Sequence, residues 1–161
     1  MVIRHVLLAA VAFASFVPFG VTGTKAAAPV TLFAVLFGAN ECNNVAAPAG
    51  PVCSVGDLDA IGSATMTFPT ATSVCFGITV DNLAGATAAH VHRGSPGLNG
   101  GIVVTLVAPL APSAGDPGAS SGCKSGLPAG LVADIIDSPR DFYVNVHNAA
   151  FPGGAIRGQL F

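Results

Sequence analysis

Apolar residues alternate with small or polar residues in several short segments of the chain. In residues 73–80 every second residue is large and apolar, as in Val74, Phe76 and Ile78, and the residues between them are small or polar. Side chains of a β-strand point alternately to opposite faces, so this segment is predicted to be a strand with one face in the core. Similar segments, bounded by Gly, Pro and Asn, predict further strands at 30–37, 62–68, 87–92, 102–107, 141–147 and 155–161.

Segments rich in Gly, Pro and Asn separate the predicted strands. Residues 38–59 and 108–122 are predicted to be long loops, and residues 148–154 are predicted to be the wide loop of a hairpin between the last two strands. Residues 127–136 are predicted to form a short helix, because Pro128 suits its first turn and apolar residues recur on one face. The predicted fold is therefore all-β: an antiparallel, Greek-key-like β-sandwich or barrel with one short helix.

The first 28 residues have the pattern of a secretory signal peptide. Arg4 precedes an apolar run over residues 6–19, and small residues accumulate after that run. A single membrane anchor is the alternative, but a spanning helix needs about 20 apolar residues, and this run is shorter and interrupted. We therefore expect residues 1–28 to be a cleaved signal peptide and residues 29–161 to form one β domain that is secreted, periplasmic or extracellular.

Charged residues are sparse in this sequence. The chain has 8 acidic residues, and the basic residues beyond residue 28 are Arg93, Lys124, Arg140 and Arg157. Proteins that bind nucleic acids or anionic membranes carry clusters of basic residues that neutralise phosphates. Because no such cluster is present, neither is expected as a partner, and no later apolar segment is long enough to span a bilayer. The expected partner is an unidentified extracellular one, and the oligomeric state stays open.

Four cysteines lie beyond residue 28, at Cys42, Cys53, Cys75 and Cys123. An even number of cysteines in an exported chain predicts two disulfides, and three pairings are possible in principle. We favour the pairing in which Cys42–Cys53 closes a short loop. The second disulfide would then be Cys75–Cys123, tying a strand to a long loop. Metal ligation is the alternative role, but the chain has no Cys-x-x-Cys motif and no cysteine close to a histidine in sequence.

The histidines beyond residue 28 occur in two short motifs. His90 and His92 lie in Ala-Ala-His-Val-His-Arg-Gly, and His147 lies in Tyr-Val-Asn-Val-His-Asn. On a strand, His90 and His92 would point to the same face with their Cα atoms about 6.5–7 Å apart. Two imidazoles at that spacing can bind one ion, and His147 is the candidate third ligand. Imidazole is a common ligand of copper and zinc, so the three histidines are a candidate copper or zinc site.

The predicted site lies on the polar face of the sheet rather than in the core. Tyr143, Asn145 and His147 share the face of their strand opposite the apolar residues, and Arg157 lies on the polar side of the last strand. We expect these side chains to surround the site, outside the core and under loops. The alternative is that the histidines are solvated or hydrogen-bond loop carbonyls without binding a metal.

Three motifs in order along the chain resemble those of the chordin-type CHRD domain. They are Ala-His-Val-His-Arg-Gly with its Asn-Gly-Gly turn, Phe-Tyr-Val-Asn-Val-His-Asn, and Phe-Pro-Gly-Gly-Ala-Ile-Arg-Gly-Gln-Leu. The resemblance covers nearly all of residues 30–161 and implies an exported β-sandwich domain. It implies little about activity, because the family has no agreed biochemical function. Nothing about growth-factor antagonism carries over, since the growth-factor-binding modules of chordin do not occur in this sequence.

A weaker similarity is to the Cu/Zn superoxide dismutase group, in which a His-Val-His strand and a later strand histidine supply copper ligands. This similarity implies copper at His90, His92 and His147, with Arg157 as the cation that guides an anion. The sequence departs from that group because it has no bridging histidine between His92 and His147 and no zinc-binding histidine cluster. A two-metal dismutase is therefore not expected.

The expected function is that of an exported, non-enzymatic binding module with a copper or zinc site at the three histidines. One alternative is a copper-dependent redox enzyme in which Arg157 steers an anion, and another is a metal-free structural or cell-surface interaction domain. No catalytic residue is assigned. Ser95 lies near His92 but has no nucleophile motif around it, and the Gly-rich turn at 97–101 lacks the helix and lysine of a phosphate-binding loop.

Overall fold

The computed structural model describes residues 28–41, 43–47, 50–54, 56–111 and 116–161, and β-strands dominate them. The strands are β1 (Val30–Phe37), β2 (Asn43–Ala47), β3 (Gly50–Ser54), β4 (Ile61–Thr70), β5 (Ser73–Asp81), β6 (Ala86–Arg93), β7 (Ile102–Leu106), β8 (Gly118–Ser125), β9 (Phe142–Asn148) and β10 (Ile156–Gln159). The helix α1 spans Ala129–Asp137, and single turns of 3-10 helix lie at Gly38–Asn40 and Pro139–Asp141.

Eight strands form one antiparallel sheet in the order β7-β6-β9-β10-β1-β4-β5-β8, and β2 pairs with β3 in a separate hairpin. The two edges of the sheet approach each other. After β7, Leu110 forms a β-bridge with Ala119 of β8, and Ser120 Oγ donates a hydrogen bond to Val107 O at 2.7 Å. The sheet is therefore a nearly closed barrel. The connections from β5 to β6 and from β8 to β9 join strands that are distant in the sheet, as in Greek-key folds.

A single cluster of buried apolar side chains fills the barrel. Leu36 of β1, Met66 of β4 and Val91 of β6 are each 0% exposed. Burying one such side chain stabilises the fold by about 1.5–3 kcal/mol. In β1 and β4 the buried residues are every second residue, and the residues between them point outward. This is the alternation that the sequence pattern predicted.

The sequence pattern predicted most of the elements correctly. The predicted all-β, antiparallel fold with one short helix is confirmed. The predicted strands correspond in order to β1, β4, β5, β6, β7, β9 and β10. The last two form the predicted antiparallel pair around a wide loop.

Helix α1, at Ala129–Asp137, confirms the short helix that was predicted at residues 127–136. Val132 and Ile135 are each 1% exposed and belong to the buried cluster, so the helix contributes one apolar face to the core. It ends at Asp137, just before a 3-10 turn that begins with Pro139. Among the described residues, no helix is long and apolar enough to cross a membrane.

Two segments that were predicted to be loops contain strands. Residues 38–59 include the β2–β3 hairpin, and residues 108–122 include the first part of β8. The sequence of β8 is Gly-Ala-Ser-Ser-Gly-Cys-Lys-Ser, which has no large apolar residue and therefore no hydrophobic period. This strand forms because its backbone pairs with β5 along its whole length. Pairing with a neighbouring strand here overrides a weak local propensity.

The disulfide Cys75–Cys123 is present and confirms one of the two predicted pairs. It joins residues that lie directly opposite each other in β5 and β8, so it ties two strands together rather than a strand and a loop. Its sequence separation is 48 residues. Cys42 lies outside the described residues, and so does the side chain of Cys53, so the predicted Cys42–Cys53 pair remains a prediction.

Candidate metal centre

Strand pairing brings the three histidines to one place on the outer face of the barrel. In the register of β6 and β9, His90 lies opposite Asn145. His147 lies opposite Ala88, and Ala88 precedes His90 by two residues. His92 follows His90 by two residues and lies opposite Tyr143. All three histidines therefore point to the same face, and the apolar residues between them point into the core.

The ring nitrogens of His90, His92 and His147 converge. One nitrogen of each ring lies within 4.8 Å of the other two, which makes these histidines a candidate metal-binding group among the described residues. His90 Nδ1 and His147 Nε2 are 3.1 Å apart. Nitrogens bound to one copper or zinc ion at about 2.0–2.1 Å lie roughly 3–4 Å apart. Shifts of about 1 Å would therefore bring all three nitrogens to ligand distances.

Backbone carbonyls fix which ring nitrogens of two histidines are available. His92 Nδ1 lies 2.8 Å from Gly100 O, and His147 Nδ1 lies 3.0 Å from Pro152 O. A carbonyl oxygen only accepts hydrogen bonds, so each Nδ1 carries the proton and each Nε2 of the neutral ring carries a lone pair. His92 Nε2 is buried and makes no hydrogen bond of normal geometry in the described structure, although the Asn145 side chain lies close enough to affect the pKa of His92. Metal-binding histidines are commonly oriented by hydrogen bonds of this kind.

All three histidines have lowered pKa values. Burial is the main cause of the lowered pKa of His90, and the charges of His147 and His92 add to it. Burial also lowers the pKa of His92, and the charges of His147 and Arg157 add to this, while the hydrogen bond to Gly100 and the contact with Asn145 partly offset it. For His147 the same burial effect is partly offset by the bond to Pro152. The rings therefore favour the neutral form at neutral pH, which is the form that binds metal ions.

Tyr143 and Asn145, the predicted neighbours of the site, contact its rings. The Tyr143 ring stacks on His92 with centroids 4.9 Å apart and planes 8° apart, and the Arg157 guanidinium carbon lies 3.4 Å from the centroid of the Tyr143 ring. Asn145 Oδ1 lies 3.1 Å from His147 Nε2. Because that nitrogen carries a lone pair when Nδ1 is protonated, this contact brings two acceptors together. A cation would stabilise such an arrangement.

Arg157, the predicted anion-steering cation, is only 1% exposed. Its Nη2 donates hydrogen bonds to Ser95 O at 3.1 Å and Leu98 O at 3.0 Å, in the loop between β6 and β7. The same loop carries Gly100, whose carbonyl contacts His92 Nδ1. The charge of Arg157 is therefore directed into the protein, where it fixes the loop that orients His92.

One buried acidic residue near the site was missed by the sequence reasoning. Glu41 is 3% exposed and follows the 3-10 turn after β1. Burial raises its pKa from 4.5 to about 7, although the charge of Arg157 and a hydrogen bond from Asn145 lower it. It is the single Glu of the sequence and lies in a segment predicted to be a loop, so nothing in the local pattern marked it as buried. We call four buried residues beside the histidines the polar layer: Glu41, Tyr143, Asn145 and Arg157.

The motif Gly-Gly-Ala-Ile-Arg-Gly-Gln at residues 153–159 is explained by close packing against the polar layer and β1. Gly154 has a φ of 141°, and a Cβ there would lie 2.5 Å from the Glu41 carboxylate. A Cβ at Gly158 would lie 2.1 Å from Val35 O. Gln159 Nε2 donates hydrogen bonds to backbone carbonyls of two other segments. Each of these positions therefore requires its residue for a steric or hydrogen-bonding reason.

Comparison with known proteins agrees with the resemblance of the sequence motifs to the CHRD domain. Residues 32–160 match the family model described as the CHRD domain. The matched range contains all three histidines and the whole polar layer. The chain has no significant match among curated proteins and none among solved structures. Because the matched range covers most of its length, the chain belongs to the CHRD domain family.

Proposed function

We propose that this CHRD domain is an exported, non-enzymatic binding module that holds one copper or zinc ion at His90, His92 and His147. The observation that carries the proposal is the convergence of one nitrogen from each histidine to within 4.8 Å of the others, together with a buried His92 Nε2 that makes no hydrogen bond of normal geometry in the described structure while Nδ1 is bound to Gly100 O. A buried acceptor without a partner destabilises a fold by about 1–3 kcal/mol. A metal ion shared with the other two histidines would satisfy it.

The chemistry of the donors favours copper or zinc. All three candidate ligands are imidazoles, which suit both metals, and three protein ligands leave a coordination position open for an exchangeable ligand. The lowered pKa values of the rings keep their lone pairs available at neutral pH. A bound ion would supply a Lewis acid, and copper would in addition supply a one-electron couple.

The copper-dependent redox enzyme is less well supported than the binding module. Steering an anion to the site requires a cation that faces solvent. Arg157 instead donates hydrogen bonds to Ser95 O and Leu98 O and is almost completely buried. We therefore assign Arg157 a role in holding the loop over the site.

Metal stoichiometry tests the proposal. The protein is purified without chelator, incubated with excess copper or zinc, desalted, and analysed for metal and protein. We expect about one ion per chain in wild type and less than ~0.2 in His90→Ala, His92→Ala and His147→Ala. Arg140→Met, at an exposed side chain outside the site, is the control and should retain about one ion.

A folded wild-type protein with less than ~0.2 ion per chain after metal addition would contradict the proposal and favour a metal-free structural or cell-surface interaction domain. Copper-loaded protein that consumes superoxide much faster than the His147→Ala variant would favour the redox enzyme instead. Circular dichroism of each variant separates loss of metal from loss of fold.

Export is the second part of the proposal. The Cys75–Cys123 disulfide suits an oxidising compartment, and the apolar segment within residues 1–28 has the pattern of a signal peptide. The intact mass of protein recovered from the exported fraction tests it. We expect a chain that lacks roughly the first 25–30 residues, and a full-length mass in the membrane fraction would favour the anchor.

A further inference from the structure

Glu41 occupies a position that two glycines make available. Its backbone N–H donates to Gly38 O at 3.1 Å, which closes the 3-10 turn after β1. A Cβ at Gly154 would lie 2.5 Å from the Glu41 carboxylate, and a Cβ at Gly56 would lie 3.0 Å from Glu41 Cγ. Two separate segments therefore leave space for this one side chain.

A carboxyl group in this position destabilises the fold. Burial raises the pKa of Glu41 to about 7, and its Oε1 is buried without a hydrogen-bond partner in the described part of the chain. A buried acceptor without a donor is unfavourable, and a Gln at this position would remove the charge. Buried acids with strongly shifted pKa values cluster at functional sites.

Asn145 connects Glu41 to the histidines. The Asn145 side chain forms a hydrogen bond with Glu41 that lowers the pKa of the acid. A hydrogen bond lowers the pKa of an acid when it stabilises the carboxylate, so the amide N–H of Asn145 is the donor. The other end of the carboxamide, Oδ1, lies 3.1 Å from His147 Nε2. The donor and acceptor of a carboxamide are held in one plane, so fixing the amide nitrogen also fixes where the oxygen points.

We propose that Glu41 is a positioning residue of the three-histidine site and acts through Asn145. This inference rests on the proposed metal site. The Glu41 carboxylate holds the Asn145 amide so that Oδ1 faces the ring nitrogens, and its negative charge offsets part of the charge of a bound dication. The oxygen does not hydrogen-bond the lone-pair nitrogen but adds negative potential beside the bound ion. Replacing groups that surround the ligands of a metal site typically changes metal affinity by about 10–100-fold.

The test compares the Zn(II) dissociation constants of wild type, Glu41→Gln and Asp134→Asn, measured by competition with a chelator. Glu41→Gln keeps the size of the side chain and removes its charge. Asp134→Asn is the matched control, because it removes one negative charge from an exposed ion pair with Arg93. We expect Glu41→Gln to weaken Zn(II) binding about 10-fold or more, and Asp134→Asn to change it less than ~2-fold.

A second variant tests the connection through Asn145. Asn145→Ser should weaken Zn(II) binding by itself. Adding Glu41→Gln to this variant should weaken binding less than Glu41→Gln does in wild type, because the carboxylate then has no amide to hold. Fully additive effects of the two substitutions would overturn the connection.

A readout in the metal-free protein does not depend on the metal site. The side-chain amide resonances of Asn145 should shift in Glu41→Gln and remain in place in Asp134→Asn. Unchanged resonances in Glu41→Gln, together with an unchanged Zn(II) affinity, would overturn the role of Glu41 and leave the metal site standing. Wild type that binds no Zn(II) would overturn both proposals, which distinguishes the two failures.

Discussion

The two halves of the barrel sheet differ in what covers their outer faces. In β1 and β5 buried residues alternate with less buried ones, and the outward-facing Phe33 and Phe37 are 46% and 43% exposed. In β9 every residue is buried except His147, which is partly buried. A strand that is buried on both faces needs a second set of neighbours outside the core. For β9 these neighbours are the rest of the polar layer and the loops above it.

This difference shows that polar residues on an outer face need not lie at the surface. Tyr143 and Asn145 alternate with apolar residues as solvent-facing residues do, yet each is 2% exposed. Buried polar side chains are retained where they are hydrogen-bonded or where function requires them. Here they surround the three histidines. That these polar residues are buried therefore indicates the site better than their polarity alone does.

Different interactions stabilise the two outer faces, so removing each one should change stability by a different amount. The largest effect is expected for Arg157→Met in the polar layer. It leaves Ser95 O and Leu98 O without a buried donor and removes the positive charge that lowers the pKa of Glu41. We expect a loss of about 3–5 kcal/mol in the free energy of unfolding, measured by urea denaturation at pH 7.

The control for that substitution is Arg140→Met, because the Arg140 side chain is exposed. Substitutions at such positions usually change stability by less than about 0.5 kcal/mol. Equal losses for the two variants would mean that the polar layer adds nothing to the stability of its half of the barrel.

On the opposite half, the Cys75–Cys123 disulfide joins the outer faces of β5 and β8. Replacing both cysteines by Ser should lower the free energy of unfolding by about 2–4 kcal/mol, because the disulfide restricts the unfolded chain over 48 residues. Zinc affinity of the folded variant should stay unchanged, since the disulfide lies in the other half of the sheet. Loss of zinc binding by a folded double variant would show that the two halves are coupled.

The smallest of the three effects on stability concerns Glu41 and depends on pH. Its pKa is raised from 4.5 to about 7 in the folded protein, so the folded state holds this proton more tightly than the unfolded chain. The resulting stabilisation is fully present below pH 4.5 and is lost as pH rises to about 7. Because Gln does not ionise, Glu41→Gln should gain up to about 3 kcal/mol relative to wild type between pH 4.5 and pH 8.

Urea denaturation of the metal-free proteins at several pH values measures this difference. The histidines, whose lowered pKa values make wild type less stable as pH falls below about 6.5, are present in both proteins, and their contribution cancels in the comparison. A difference between Glu41→Gln and wild type that does not change with pH would contradict the raised pKa.

The sequence predicts those features that depend on local pattern. Alternation of apolar residues predicts β5, and the same rule places His90 and His92 on one face of β6. It does not predict β8, since a strand of small residues is specified by its neighbour β5 rather than by its own composition. Local pattern therefore predicts which face of a strand is buried, but it does not identify a strand that lacks large apolar residues.

Features that depend on contacts between distant residues are not available from the pattern. Glu41 and Asn145 are far apart in sequence, and no spacing rule brings them together. The packing of Gly154 against Glu41 is visible only once β10 lies beside β1. The histidines were recognisable as candidate ligands because their residue type is rare and chemically specific, whereas a lone Glu in a loop carries no such signal.

We propose above that His90, His92 and His147 bind one metal ion together. Anomalous diffraction at the zinc or copper absorption edge, from crystals of the metal-loaded protein, would locate such an ion. We predict a single strong peak about 2.0–2.1 Å from one nitrogen of each histidine, with His92 and His147 binding through Nε2. Crystals grown with excess metal that show no peak between the three rings, and His92 Nε2 bonded to a protein group instead, would contradict it.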